Sequence, residues 1–390
     1  MPLTVAWISD YPIEWMPDPP PPLRGLPRKH PETWMSVLLG ELMGRADLKI
    51  HVLVLRGRVE RGFEFERNGV RFHVLKATRS QRLLSLFWVD TLLLRRALRR
   101  IQPAVVHAWG NEYAAGLIAT RLGYPYLVTI QGLLTWYRET VPVPAYGKFT
   151  ARVEARCLNR APLATTESRF AVEYLRRRYP RLAVRQIEHA PQGVFHQAPR
   201  QPRTQPIRFV TGSPSYRKGS DLLLRALNEL RTELPFELVV IGDRNPEVFG
   251  PLGGVLAPEF ERRLEFKTGL GPAEVARELS AATVMVLPTR ADTSPNSVKE
   301  AVVAGVPVVA SRVGGIPDYV IEGKNGLLLE QTTVPELVQT LRAAVHHPQF
   351  GQGAVDPATL ARQREYLSPV LMAERFQEVY RFAAERRRPA

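Results

Sequence analysis

The sequence predicts an α/β chain of two doubly wound, Rossmann-like domains. Three observations predict it. Short apolar runs alternate with helical stretches from end to end. Many of those runs are continuous Val-, Ile- and Leu-rich segments rather than alternating ones, the pattern of parallel strands buried on both faces. A polar, Pro-containing stretch, HQAPRQPRTQP (196–206), splits the series in two and reads as an interdomain linker. At 390 residues the chain has length for two to three domains and sizeable cores.

In order, the first series of strand-like runs is 3–9, 50–55, 71–75, 104–109, 126–130 and 163–167. PDPPPP (17–22) is a stiff local run in an early loop. The second series is 207–212, 236–242, 263–266, 283–287 and 306–311. These runs set expected domains at 1–198 and 205–367. The tail 368–390 carries an amphipathic helix with Leu371, Phe376, Val379, Tyr380 and Phe382. Two doubly wound domains facing each other place a cleft at the carboxyl ends of their strands, where ligands bind in such sheets.

Charge and composition bound the function classes. The net charge of +15 is uneven: residues 1–200 carry 30 Lys and Arg against 16 Asp and Glu, residues 201–390 carry 23 against 22. A basic first half suits anionic lipid head groups, anionic glycans or nucleic acid, and equally suits solubility alone. Two segments concentrate the charge: 79–101, helical in period with Arg95, Arg96, Arg99 and Arg100 at its end, and YLRRRYPRLAVR (174–185). Either reads as a surface for an anionic membrane, while 79–101 reads more simply as a core-facing helix with a solvated basic end. The lone Cys157 permits no intramolecular disulfide and suits a reducing compartment. MPLTVAWISD reads as a first core strand, not a signal peptide, and no run is long enough to span a bilayer. The expected location is the cytoplasm, including the inner face of the cell membrane.

The most informative stretch is PTRADTSPNSVKEAVVAGVPVVASRVGGIPDYVIEGKNGLLL (288–329). Thr283–Leu287 is a buried strand by composition. Ser294-Pro295 signals a helix start, with Ser294 as N-cap and Pro295 in the first turn, and Gly305 followed by Pro307 ends that helix. The N–H groups of Asn296, Ser297 and Val298 then point from the carboxyl edge of a sheet, a ready anion site. Asp292 lies just before the helix, and Glu300 one turn in on the face of Asn296 and Ser297. The two acids are placed to touch different parts of one ligand.

This ordered string resembles the signature of the retaining glycosyltransferases of family 4, with GT-B architecture: an acid, seven residues, a Glu, then Gly305–Ala310 and Val313-Gly314-Gly315. An acid pair at this spacing alone is weak; the whole string is specific. The resemblance implies that Asp292 contacts the donor sugar and Glu300 the ribose hydroxyls, with Ser294, Asn296, Ser297 and Val298 around them. It implies that Gly314 and Gly315 lie near the nucleotide or diphosphate, though the pair reads equally as a purely structural tight turn, that Thr268 lies near the base, and that the last helix crosses back to the first domain. In VTGSPSYRKGSD (210–221), Gly212, Lys218 and Gly219 match the family's phosphate loop, but Ser213 stands where an Arg belongs. Paired cations here suit a diphosphate leaving group, with Lys218 as the expected ligand and Arg217 as a substitute for the missing charge.

The first half departs further. Gln131-Gly132 replaces the family's His-Gly, and the loop after the first strand offers only Gly25, with Arg24, Arg28, Lys29 and His30 around it. His30 reads as substrate-facing or as an ordinary surface histidine. Trp109, Asn111 and Glu112 end a strand at the expected cleft and read as acceptor-lining or as plain loop residues.

The resemblance implies a retaining, metal-independent hexosyl- or related transferase. It would move a sugar from a nucleotide-sugar, UDP- or GDP-linked, to a glycan or lipid-linked acceptor in cell-surface polysaccharide or glycolipid synthesis. No cofactor and no metal are expected, because Asp-x-Asp, zinc-spaced His/Cys, G-x-G-x-x-G, Walker A and G-x-S-x-G strings are all missing from the sequence. Nucleic acid is not an expected partner, since no recognised module accompanies the charge. The alternatives are a sugar-nucleotide epimerase and a non-catalytic glycan- or membrane-binding relative, the second prompted by Ser213, Gln131 and the short acid at 292.

Overall fold

The computed structural model describes residues 2–27, 32–110 and 114–386. They form two compact units: residues 1–167, 171–188 and 369–390 in the first, 168–170 and 189–368 in the second.

The first unit is built on β1 (Leu3–Ser9), β2 (Leu48–Arg56), β3 (Phe63–Arg67), β4 (Val70–Lys76), β5 (Val105–Trp109), β6 (Tyr126–Thr129), β7 (Leu163–Thr166) and β8 (Ala183–Gln186). They lie in the order β3-β4-β2-β1-β5-β6-β7-β8. All pairs are parallel except β3 with β4. That hairpin departs from the expected all-parallel sheet. Its cause is Asn68-Gly69, both in the left-handed region (φ 50° and 76°), between the alternating FEFER and the VRFHVLK strand. Asn-Gly between two such runs closes a tight antiparallel turn.

The last helix, Pro369–Glu385, returns to this unit. Its anchor is a buried polar chain. Trp7 Nε1 donates to the Tyr380 hydroxyl (3.0 Å), which pairs with His107 Nδ1 (2.8 Å). His107 Nε2 continues to Thr129 Oγ1 at 2.6 Å. Phe376 packs on His107 and Trp109. Fully buried polar groups joined in this way fix one register for the helix, since any shift leaves several unpaired.

The second unit carries β9 (Ile207–Thr211), β10 (Phe236–Ile241), β11 (Leu264–Lys267), β12 (Val284–Leu287), β13 (Val308–Ser311) and β14 (Gly326–Leu329), all parallel in the order β11-β10-β9-β12-β13-β14. Strand order reverses at the β9/β12 pair, so the loops leaving the carboxyl ends of these two strands diverge there. The stretch 196–206 does not hang free: Arg200 donates to the carbonyls of Leu279, Ser280, Ala282 and Gly353 of this unit.

One of the two basic segments departs from its single helical period. Residues 79–101 form two helices, Arg79–Leu84 and Trp88–Ile101, broken by Leu86 and Phe87 at φ 45° and 65°. Residues 174–185 span the end of the helix Arg169–Arg178 and the start of β8 at Ala183. Among the described residues no helix is long and apolar enough to cross a membrane.

Candidate functional site

The two loops at the β9/β12 switch point are fastened to each other. After β9, the chain reaches Gly219 at φ +69°, where an added Cβ would lie 1.8 Å from the Pro288 carbonyl oxygen. Glycine is required by both conformation and space. The Arg217 carbonyl accepts from Arg290 N (2.8 Å) and Thr289 Oγ1 (3.0 Å). Arg290 in turn forks onto Asp221 at 2.7 and 2.8 Å and stacks over Tyr216. The result is a rigid rim rather than two independent loops.

Within this rim Arg217 Nη1 donates to the Ala291 carbonyl (2.6 Å) and to Asp292 Oδ2 (3.1 Å). Asp292 is buried, and its other oxygen accepts the Ser294 N–H at 3.3 Å. The sequence offers Arg217 as a loop cation for a diphosphate; in the structure its guanidinium is bonded to Asp292 and the Ala291 carbonyl. Lys218 stands differently. A Cβ at Gly212 would meet Lys218 Nζ at 3.8 Å and Ser297 Cβ and Oγ at 3.9 Å, so ammonium and hydroxyl converge over a residue with no side chain. The Ser297 hydroxyl oxygen is buried without a hydrogen-bond partner among the described residues. An unmatched donor beside an ammonium, over open glycine backbone, is a cradle for an anion.

The helix after β12 is Asn296–Val303, with Pro295 as its N-cap, so Ser294 does not cap it as expected. The Ser294 hydroxyl instead pairs with the Tyr319 hydroxyl at 2.7 Å. Val298 N–H is not free either: it donates to the Pro295 carbonyl at 3.1 Å. Asn296 and Ser297 are left as the N–H groups of the first turn that face outward. The helix closes with Val306 N on the Ala301 carbonyl (2.9 Å) and Gly305 N on that of Val302 (3.1 Å), with Gly305 at φ +75°.

Glu300 is half-buried, and its desolvation pushes its carboxyl up to about 7 against the pull of Lys299 and Lys218. Burial also lowers the Lys218 ammonium from its ordinary value; Arg217 adds to this, while Asp292 and Glu300 oppose it. Both shifts describe a pocket short of water. A negative charge brought beside Lys218 would act in the same direction as Asp292 and Glu300 and favour its ammonium.

Gly314 (φ +58°) and Gly315 follow β13. Gly315 N approaches the Asp292 carbonyl (3.4 Å), and a Cβ on Gly315 would lie 2.3 Å from the Thr293 carbonyl oxygen and 2.6 Å from Ser168 Cβ. This loop therefore buttresses the acid loop. Ser168 Oγ donates to the same Thr293 carbonyl at 2.9 Å, and Arg169 pairs with Asp318. The helix expected from Pro317 is a single 3-10 turn, Ile316–Asp318. Thr268 is exposed just past β11, at the same edge of the sheet.

Sequence reasoning missed two residues here. Lys299 is completely buried, with its ammonium 5.9 Å from the Tyr319 ring centroid. Gly242, at φ +137° after β10, packs its Cα against Ser213 so closely that a Cβ would be 2.8 Å from Ser213 Oγ. The glycine ending FELVVIG was the available signal for Gly242; nothing local marks Lys299.

Among the described first-unit candidates, Trp109 and Gln131 lie at the same end of the paired strands β5 and β6. Trp109 is buried against Trp7, His107 and Phe376, so its ring serves the core. Gln131 is half-buried, and its Nε2 is enclosed without a partner among the described residues. Gly25 is exposed at φ +76° in an open turn. His30 and Asn111, with Arg28, Lys29 and Glu112, lie outside the described residues. This unit also holds a cavity of about 690 Å³ beside the end of β2 and the helix Arg79–Leu84, with Arg56, Arg58, Arg82, Phe87 and Tyr146 in its wall. Arg56 is paired with Glu14 (2.7 Å) and with Asp10, and Arg82 with Asp90 (2.8 Å).

Comparison with known proteins bears on the family and the fold. Residues 205–347 match the glycosyl transferases group 1 family, and residues 37–188 match the glycosyl transferase 4-like domain. A D-inositol 3-phosphate glycosyltransferase of Nocardioides sp. is 33% identical over 167 residues, 37% of this chain and 35% of that protein. A GDP-mannose-dependent phosphatidylinositol monomannoside mannosyltransferase of Mycolicibacterium smegmatis is 30% identical over 142 residues, 34% of this chain and 37% of that protein. The chain thus matches little more than a third of the length of these curated relatives. Among solved structures, a sucrose-phosphate synthase of Thermosynechococcus elongatus superposes with TM-score 0.76 at 18% identity, covering 98% of this chain and all of that one. The Anabaena protein HepE, solved with UDP and glucose, gives 0.68 at 15%, covering 96% of this chain and 98% of that one. With both units matched and the fold shared, the chain belongs to the group 1, family 4 glycosyltransferases of GT-B architecture.

Proposed function

We propose that this chain is a retaining, metal-independent glycosyltransferase that moves a hexosyl or related group from a UDP- or GDP-sugar to a glycan or lipid-linked acceptor. The observation that carries the reading is the convergence of Lys218 Nζ and the unpartnered Ser297 hydroxyl over Gly212, at the switch point of a parallel sheet. The diphosphate rests in that cradle, with the outward N–H groups of Asn296 and Ser297 adding to it. Glu300 takes the ribose hydroxyls and Asp292 the donor sugar, while Gly314 and Gly315 let backbone approach closely.

In the step itself, the bond between the anomeric carbon and the diphosphate oxygen breaks and leaves an oxocarbenium-like centre. Lys218 and the helix N–H groups stabilise the negative charge that grows on the diphosphate. The acceptor hydroxyl attacks from the face the diphosphate leaves, and its proton passes to a departing phosphate oxygen. No protein nucleophile is required. The relatives with inositol-phosphate and phosphatidylinositol substrates in their names support an acceptor of the glycolipid or cell-surface glycan class.

A thermal-shift screen with UDP-, GDP- and ADP-sugars tests donor binding, because a ligand of the folded state raises its midpoint. A transfer assay with the stabilising donor then tests the reaction. Acceptor-dependent glycoside with the donor's anomeric configuration supports the reading. Acceptor-independent conversion of the sugar nucleotide identifies an epimerase, and binding with no turnover for any acceptor identifies a non-catalytic relative; either overturns it.

A further inference from the structure

On the first unit, four large apolar side chains stand in solvent on one helix pair. Leu84 is 87% exposed, Leu86 59%, Trp88 51% and Leu92 59%. Leu84 ends the helix Arg79–Leu84, Leu86 sits in the left-handed turn, and Trp88 and Leu92 are one turn apart on Trp88–Ile101. The same solvent face continues at helical spacing to Arg96, Arg99 and Arg100, all exposed.

A second helix completes the surface. Ala115–Ala119 packs against both Trp88–Ile101 and Ala145–Leu158 and so joins them on one side of the unit. Ala145–Leu158 exposes Lys148, Arg152 and Arg156 at four-residue spacing, and exposed Arg160 follows. Arg121 ties the patch together: its guanidinium lies 4.6 Å over the Trp88 ring and donates to the Leu86 carbonyl at 2.9 Å. The acids in 79–101 and 145–160 are Asp90 and Glu154 alone, and both are fully buried. Asp90 is bonded to Arg82, and Glu154 takes the N–H groups of Leu134 and Thr135. Within these two segments the exposed charge of the described residues is therefore of one sign.

We propose that this face docks on an anionic lipid bilayer, with Leu84, Leu86, Trp88 and Leu92 entering the interface and the flanking arginines and Lys148 resting on the head groups. Charge complementarity selects that partner. A nucleic acid would match the arginines but would leave three leucines in water, whereas an anionic bilayer satisfies both. Trp beneath an arginine suits the interfacial zone, where one side of the ring is apolar and the other wet. The left-handed turn at Leu86 and Phe87 has a physical consequence: Phe87 turns inward to the 690 Å³ cavity while Leu86 and Trp88 turn out. The inference does not depend on the proposed transfer reaction.

The full chain is sedimented with vesicles of phosphatidylcholine alone and of phosphatidylcholine with phosphatidylglycerol. It is expected to pellet with the anionic vesicles only, and less as salt rises. The variant Leu84→Ser/Leu86→Ser/Leu92→Ser is expected to bind at least about tenfold more weakly, and Arg96→Gln/Arg99→Gln/Arg100→Gln roughly a hundredfold. Unchanged melting midpoints show that the variants fold, and an unchanged shift by nucleotide-sugar separates this result from donor binding. Failure of the wild-type chain to bind anionic vesicles at low salt overturns the proposal. So does equal binding to neutral vesicles, or full vesicle binding by the leucine variant with comparable affinity for an oligonucleotide.

Discussion

Arg217 Nη1 lies 3.1 Å from Asp292 Oδ2, and the same nitrogen donates to the Ala291 carbonyl. The acid proposed for the donor sugar is thus already partnered by the arginine that the sequence offers to the diphosphate. A sugar hydroxyl reaching Asp292 shares that carboxylate with Arg217 or displaces it. Asp292→Asn is expected to lower kcat for transfer by about a hundredfold, the scale of losing a charged contact made in the transition state. Binding of free nucleoside diphosphate should change by less than about threefold, because the loosened Arg217 can turn to the phosphates at a cost of little more than one weak interaction. Steady-state kinetics and calorimetry read the two effects separately. An equal fall in both would mean that the pair serves the loop and not the sugar.

Glu300 makes stability depend on pH. Burial raises its carboxyl from 4.5 to about 7 in the folded protein. Between these values the native state holds a proton that the unfolded chain has lost, so stability falls as pH rises through this window and levels off above about 7. Glu300→Gln should remove that slope and raise stability at pH 8 by up to about 2 kcal/mol, allowing for the partly open side chain. Urea midpoints of the ligand-free protein from pH 5 to 8 check it; parallel pH profiles for the two proteins would contradict it.

Much of this site was legible. Asp292, Glu300, Lys218 and the Gly-Gly loop are marked by fixed spacings within one strand-loop-helix unit, and spacing survives folding. The ion pair of Arg217 with Asp292 was not legible, because it joins residues 75 apart in sequence through a strand-order reversal. The strands β3, β8 and β14 escaped for different reasons. β3 has the Asn-Gly turn as a clear signal, whereas Ala183–Gln186 and Gly326–Leu329 are four-residue edge segments whose pairing comes from neighbours. The anchor of the last helix depends on Tyr380 meeting Trp7 across 373 positions, which no periodicity reports.

Two glycines with left-handed backbones should differ sharply on substitution. Gly219→Ala puts a Cβ 1.8 Å from the Pro288 carbonyl oxygen, while Gly25→Ala meets nothing within 4 Å. The first is expected to cost roughly 3 kcal/mol or more and the second about 1 kcal/mol, the backbone strain alone. Denaturant midpoints measure both. Equal costs would show that the rim between the two loops yields.

Tyr380→Phe removes the hydroxyl shared by Trp7 and His107, and the buried Trp7 Nε1 loses that acceptor. A loss of about 1–3 kcal/mol is expected, with donor binding to the second unit retained. Chemical unfolding with a nucleotide-sugar titration checks both parts.

Lys218 and Ser297 over Gly212 are proposed to hold the diphosphate of a nucleotide-sugar. Calorimetric titration of the best-binding nucleoside diphosphate into wild-type and Lys218→Ala protein tests it most directly. A loss of affinity of roughly thirtyfold or more is expected in the variant, the scale of one charge-assisted contact to phosphate. An unchanged dissociation constant, with the variant folded, would contradict it.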